Sequence, residues 1–139
     1  MATKGAQFAL TQLQRGMLPR FGGTQRLPRL IGATLALRML LTGEAIDSDE
    51  AMRLGLVTYL APDQKTLRRV ARDLFGTIDS RGPIGVRLVK EAVRKGLDMT
   101  LEQGIRLEED LYALLQTTAD RAEGVKAFLQ KRKPIFKGA

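Results

Sequence analysis

The sequence predicts a mostly α-helical chain with one or two short strands. Three observations carry that expectation. Leu67, Val70, Ala71, Leu74 and Ile78 fall at i, i+3, i+4, i+7 and i+11, the spacing of one helix face. Thr100 followed by Gln103 is the signature of a capped helix start. Glycine and proline cut the 139 residues into short segments, and the best strand candidate among these is the run Val57-Thr58-Tyr59-Leu60.

Taken in order, residues 6–13 alternate loosely and read as a short strand, followed by a loop punctuated by Gly16, Pro19, Gly22 and Gly23. From Thr24 the pattern turns helical, with Leu27, Leu30 and Ile31 in helical register and Gly32 as the interruption. Residues 33–42 form the next helix, with Leu37, Leu40 and Leu41 as its apolar face and Gly43 as its stop. Asp47 and Glu50 open a short helix over 48–54 that ends at Gly55, and Pro62 closes the strand 57–60. The helix 64–78 ends near the turn Ser80-Arg81-Gly82, and Pro83 suits the first position of the next helix. Leu88, Val89, Ala92 and Val93 line that helix as far as Gly96. Helix 101–116 carries Leu101, Ile105, Leu107, Leu111, Tyr112, Leu114 and Leu115, more than one stripe, so it is expected to be buried on two sides. Thr117 with Asp120 starts a last helix with Ala122, Val125, Phe128 and Leu129. Lys131, Arg132 and Lys133 complement its dipole, and Pro134 stops it. Phe128 is expected in the core.

Composition narrows the chemistry. With no Cys and no His, a serine or cysteine hydrolase triad and a typical zinc site are excluded from this chain, which leaves carboxylates, Lys, Tyr, hydroxyls and backbone amides. No metal site is expected. Nothing approaches a membrane span, and residues 1–9, with Lys4 and Gln7, show no apolar signal run.

The net charge of +8 is unevenly placed. Residues 1–43 hold Lys4, Arg15, Arg20, Arg26, Arg29 and Arg38 and no acid, while the tail 131–139 adds Lys131, Arg132, Lys133 and Lys137. The middle is slightly acidic. Basic ends suit RNA, phosphate-bearing ligands or an acidic surface. Aromatics make up only 5% and are scattered, and no RNA-binding motif appears, so nucleic acid is not the expected partner.

The run Gly16-Met17-Leu18-Pro19-Arg20-Phe21-Gly22-Gly23-Thr24-Gln25-Arg26-Leu27-Pro28-Arg29-Leu30-Ile31-Gly32 closely resembles the signature region of the crotonase superfamily, the enoyl-CoA hydratases and isomerases. The likeness continues through Leu41-Thr42-Gly43-Glu44, through Ala51 to Val57, and through Glu123 to Pro134, in the family's order. It implies an α/β crotonase-like fold, a spiral of ββα turns followed by helices that build a trimer. A complete member is about twice this length, so the chain looks like the C-terminal half, beginning just before the last active-site segment. The implied organisation is the end of the spiral core with a substrate-side loop over 1–60 and a helical trimerisation region over 61–139.

By the same resemblance, the substrate is an acyl-CoA thioester whose carbonyl meets two backbone amides, while two Glu side chains handle water and proton. Coenzyme A comes as part of the substrate, and no separate cofactor is implied. The amides and the first Glu belong to the other half. Gln12 stands at the position of the second Glu; it has no proton to exchange but can position water. Thr11 stands where hydratases often have Pro, and Arg20 where they often have Gly. Arg20 thus sits near the implied acyl pocket, either answering a carboxylated substrate or facing solvent. Gly22 and Gly23 form the implied tight turn at the acyl end, where backbone without Cβ fits a close approach. Tyr112 falls near a position lining that pocket. Phe128 and Lys131 match positions that hold the CoA adenine and phosphates. The implied partners are the acyl-CoA and either copies of the chain, as a trimer or hexamer, or a complementary N-terminal half, with no membrane. Little hydratase activity is expected of this chain alone, and a non-catalytic binding or assembly subunit is the alternative. The implied location is cytoplasmic, or the mitochondrial matrix in a eukaryote.

Overall fold

The computed structural model describes residues 1–139, and the chain divides into two compact units, Met1–Ala71 and Arg72–Ala139. Both are built mainly from helices, as the sequence predicts.

In the first unit, β1 (Ala2–Thr3) pairs in parallel with β4 (Leu60–Ala61), and β2 (Gln7–Phe8) pairs antiparallel with β3 (Ile46–Asp47). The strand expected over 57–60 therefore begins later. Val57 is buried, and its N–H donates to the Ala51 carbonyl, so it closes the turn after a helix and is not free for a ladder. Pairing starts where Ala2 and Lys4 can donate to the Tyr59 and Ala61 carbonyls. The strand expected over 6–13 shrinks to Gln7–Phe8, and Gln12–Arg15 wind instead into a 3-10 turn that Gly16 ends at φ 68°.

Helix α1 (Gly23–Ile31) and helix α2 (Ala33–Thr42) meet the expected boundaries, since Gly32 and Gly43, both at positive φ, interrupt them. The face of α2 is not the expected one. Ala36 and Met39 are buried and Leu40 packs beside them, whereas Leu37 and Leu41 are exposed. Small Ala36 admits the close crossing of α1, and Met39 fills the gap with Leu27, Ile46, Ala51 and Val57. Full burial of a side chain such as Met39 or Leu27 is worth about 2 kcal/mol. Helix α3 (Ser48–Arg53) is capped by Asp47, whose carboxylate accepts the Glu50 N–H at 2.8 Å. The buried Ser48 hydroxyl accepts the Gly5 N–H at 3.2 Å and ties the turn after β1 to α3.

Helix α4 (Gln64–Asp79) runs across the boundary between the units. In the second unit, α5 (Pro83–Gly96) packs on α6 (Leu101–Gln116), and α6 on α7 (Ala119–Leu129). Pro83 stands at the first turn of α5, and the capping box of Thr100 and Gln103 is fully formed. Gly96 and Gly104 let α5 and α6 approach: a Cβ on Gly104 would lie 3.6 Å from the Gly96 Cα. Leu88 is the buried residue of α5, while Val89 and Val93 are exposed. Helix α6 is not buried on two sides. It turns Leu107, Leu111 and Leu115 inward and leaves Leu101, Ile105, Tyr112 and Leu114 exposed, because α5 and α7 cover a single flank. Thr118, rather than Thr117, caps α7 by accepting the Arg121 N–H.

Candidate functional site

Four of the residues singled out in the sequence share one segment of the first unit. Gln12 opens the 3-10 turn, and its carbonyl accepts the Met17 N–H at 3.1 Å, which starts the loop towards α1. Its side-chain Oε1 is buried, and no donor of the chain reaches it. A buried acceptor in that state is costly, so it marks a place where a donor from elsewhere would be stabilising.

The loop then passes Leu18, Pro19, Arg20 and Phe21 to the turn at Gly22 and Gly23. Gly22 adopts φ 80°, and the Gly23 N–H donates to the Arg20 carbonyl at 3.3 Å. A Cβ on Gly23 would stand 2.9 Å from the Pro19 Cβ, closer than real contacts allow. Gly23 is therefore packed too closely on the Pro19 ring to carry a side chain. Arg26 folds back so that its Nε would lie 3.3 Å from a Cβ on Gly22. Arg20 is exposed, and its guanidinium has no hydrogen-bond or ion-pair partner in the chain. Phe21 holds φ 58°, a left-handed value uncommon outside glycine, and is 93% exposed.

The other three residues lie in the second unit. Phe128, expected in the core, is 83% exposed. The inward residue of that turn of α7 is Ala127, so Phe128 points off the helix. Lys131 lies beside it: its N–H donates to the Phe128 carbonyl at 3.1 Å, and its φ of 52° closes the helix where glycine is usual. An outward aromatic ring and an unpaired ammonium thus share one helix end. Tyr112 stands in the middle of α6, 64% exposed, with no partner for its phenol.

Two carboxylates that the sequence reading gave no such role clamp the tail. The Glu123 carboxylate takes two hydrogen bonds from Arg132, at 2.6 and 2.9 Å, and one from the Ile135 N–H at 2.9 Å. The Arg132 hydrogen bonds first, and then that N–H, hold its pKa down to about 2. Buried Asp120 accepts the Lys137 and Gly138 N–H groups at 2.6 and 2.8 Å. These clamps seat Phe136 against Gly82 and Gly124, on the wall of an apolar groove of about 810 Å³ that Ile78, Val86 and Val89 also line. No predicted site residue lines that groove. No local signal announces the clamps, because partners 9 to 18 positions apart follow no helix or strand period. No group of three acidic side chains converges as a metal site would need, and no helix is long and apolar enough to cross a membrane.

The sequence profile of the enoyl-CoA hydratase/isomerase family matches residues 1–139. The chain is 40% identical over 138 residues to 2,3-dehydroadipyl-CoA hydratase of Escherichia coli K12, covering 99% of itself and 54% of that protein. It is 42% identical over 139 residues to (E)-benzylidenesuccinyl-CoA hydratase of Thauera aromatica, covering 100% of itself and 54% of that protein. Its fold is similar to that of the enoyl-CoA hydratase of Bacillus anthracis, with a TM-score of 0.91 at 40% identity, over 99% of this chain and 53% of that one. The chain thus spans about half the length of the curated relatives it matches. A profile match over every residue, and a solved crotonase fold followed throughout, mean that this chain belongs to the enoyl-CoA hydratase/isomerase family of the crotonase superfamily.

Proposed function

We propose that this chain binds a 2-enoyl-CoA thioester and that Gln12 orients the reacting water without exchanging a proton with it. Hydration joins the water oxygen to C3 and a proton to C2, so the water must be held in place and must also lose a proton to a base; Gln12 is assigned the first task, and the base is not a residue of this chain. The observation that carries the reading is the buried Gln12 Oε1 with no donor from the chain. A water O–H aimed at it would satisfy the amide, while an amide has no pKa in the range of general-base work. Family membership supports the thioester, and Phe128 and Lys131 offer a ring for adenine and a cation for phosphate at one helix end. Tyr112, Gly22 and Gly23 are assigned to the acyl end. Two of the curated relatives are named for thioesters whose acyl part carries a second carboxylate and another for crotonyl-CoA, so that class stands beside plain enoyl chains as substrate. Coenzyme A enters as part of the substrate, in the cytoplasm or the mitochondrial matrix.

The test is a crotonyl-CoA hydration assay on the purified chain and on Gln12→Ala. The expected rate is at background for both. Turnover well above background that Gln12→Ala abolishes would overturn the reading that this chain is inactive on its own.

One observation favours a second role, assembly. Leu101, Tyr112 and Leu114 of α6 and Leu129 of α7 are exposed apolar side chains, and burying them against copies of this chain or a complementary N-terminal half would be stabilising. Light scattering after size exclusion should show more than one chain per particle; a monomer contradicts self-assembly.

A further inference from the structure

We infer that the apolar groove walled by Phe136 is a binding site for a free fatty acid, a linear hydrocarbon chain with one carboxylate. None of the residues assigned above to the thioester lines this groove, so the two readings stand or fall separately.

Shape gives the first argument. Every lining residue belongs to the unit Arg72–Ala139, and the volume is about 810 Å³. A site for one small molecule has roughly 300–1,000 Å³. A specific protein partner needs roughly 1,200–2,000 Å² of buried surface, which a cavity of this kind does not supply. Three lining residues are glycines. A Cβ on Gly82 would stand 3.5 Å from the Phe136 ring, one on Gly124 3.6 Å from it, and one on Gly85 3.9 Å from Leu115. Side chains at these places would fill groove volume, so their absence opens a slot towards the backbone of α5 and α7. Phe75, Ile78, Val89 and Val125 beside that slot are between 38% and 63% exposed, and covering them with an alkyl chain is favourable.

Rigidity gives the second. The residues on both sides of Phe136 are tied to α7, Ile135 by its N–H on Glu123 at 2.9 Å and Lys137 by its N–H on Asp120 at 2.6 Å. The aromatic wall is thus in place before a ligand arrives, which lowers the ordering cost of binding.

Charge gives the third. Arg81, Lys90 and Arg121 line the same groove, are exposed, and have no side-chain partner in the chain. The acid among the lining residues is Asp120, and both of its oxygens are taken, by the Lys137 and Gly138 N–H groups. A second cavity of about 420 Å³ shares Val86 and Lys90 with the groove and adds Arg87 and Arg94. Its one acid, Glu91, is bound by Lys95 at 2.5 Å. The apolar slot therefore adjoins a face of α5 with spare positive charge. A hydrocarbon tail with one anionic end matches both parts, whereas a neutral chain meets only the first and a small anion only the second.

The experiment is a titration of decanoate, 1-decanol and acetate, below micelle formation, into the 15N-labelled 139-residue chain, followed by backbone amide shifts. Decanoate should bind saturably and shift the amides of Gly82, Gly85, Gly124 and Phe136. It should bind about tenfold more tightly than decanol or acetate at low salt, with the margin over decanol shrinking as salt rises. Val89→Glu, which sets an acid at an exposed place on the wall, and Gly85→Leu, which fills the slot, should each weaken decanoate about tenfold or more. Lys90→Gln with Arg121→Gln should bring decanoate to the affinity of decanol. Arg15→Gln with Lys65→Gln, the same change in net charge outside the groove, should leave it within about twofold. No saturable decanoate binding, shifts away from the groove, an affinity unmoved by Val89→Glu, or equal losses in the two double variants overturns the proposal. Groove shifts that change with chain concentration alone would mean that a second copy covers the groove, and would overturn it too. The dispersion of each variant's spectrum confirms that it is folded.

Discussion

The Gln14 side chain lies across Gly43: a Cβ on Gly43 would stand 2.5 Å from Gln14 Nε2 and 3.2 Å from its Cδ. The same amide donates to the Thr42 carbonyl at 3.4 Å, and Gly43 holds φ 70° as it ends α2. The 3-10 turn that carries Gln12 is thereby fastened to the end of α2. Gly43→Ala should cost about 1 kcal/mol or more in urea unfolding, from the left-handed backbone and the displaced amide together. Gln14→Ala on that background should cost little more, since the contact is already lost. Fully additive losses would show that the two residues are not coupled.

Gln12 should be a stability burden. Replacing it by methionine, of similar length and without the amide, removes a buried acceptor that has no donor. Gln12→Met should therefore stabilise the chain by about 1 kcal/mol. A clear destabilisation in the same unfolding experiment would mean that the amide is satisfied within the folded chain.

The tail clamp carries a pH signature. Glu123 has its pKa lowered from 4.5 to about 2, chiefly by Arg132. A depressed folded-state value means that the clamp's contribution is complete above about pH 4.5 and is lost as the pH falls towards 2. Hydrogen exchange at the Ile135 amide, which donates to Glu123, should stay protected at pH 4 and lose protection below about pH 3, after correction for intrinsic rates. In Glu123→Gln that protection should already be weak at neutral pH. A profile identical in the two proteins would contradict the clamp.

Gly104 is close to Gly96 but not crowded. A Cβ there meets the Gly96 Cα at 3.6 Å and its carbonyl oxygen at 3.8 Å, ordinary contact distances. Gly104→Ala should be tolerated and should raise stability by up to about 1 kcal/mol through helix propensity. Gly104→Leu should push α5 and α6 apart and lower stability by about 1–3 kcal/mol. Equal losses for both would show that the interface has no room for a methyl group.

How legible the fold was differed between features for a physical reason. The limits of α2 and α6 stand where Gly43 and the Thr100–Gln103 pair put them, since capping is decided within a few residues. The buried faces were legible only in part. Leu88 and Leu40 face inward as their spacing predicts, but Leu37, Leu41 and Val89 share their apolar character and are exposed, while Ala36 and Met39 are buried. Which stripe is covered depends on the partner helix, and 24 large apolar side chains remain exposed, so apolarity alone selects too many candidates. The strand at Leu60–Ala61 needed Ala2, some 58 positions away, to fix its register. At the candidate site, the family motif led to Gln12, Gly22, Gly23 and Lys131. The burial of the Gln12 Oε1, the left-handed Phe21 and the hold of Asp120 and Glu123 on the tail arise only from the folded arrangement.

The most direct test is titration calorimetry of crotonyl-CoA into the 139-residue chain, repeated with Lys131→Ala. Saturable binding, weakened about tenfold by loss of the Lys131 ammonium, is the expected result. The absence of saturable binding, or an affinity indifferent to Lys131→Ala, would contradict the placement of an acyl-CoA on this chain with its phosphates at the end of α7.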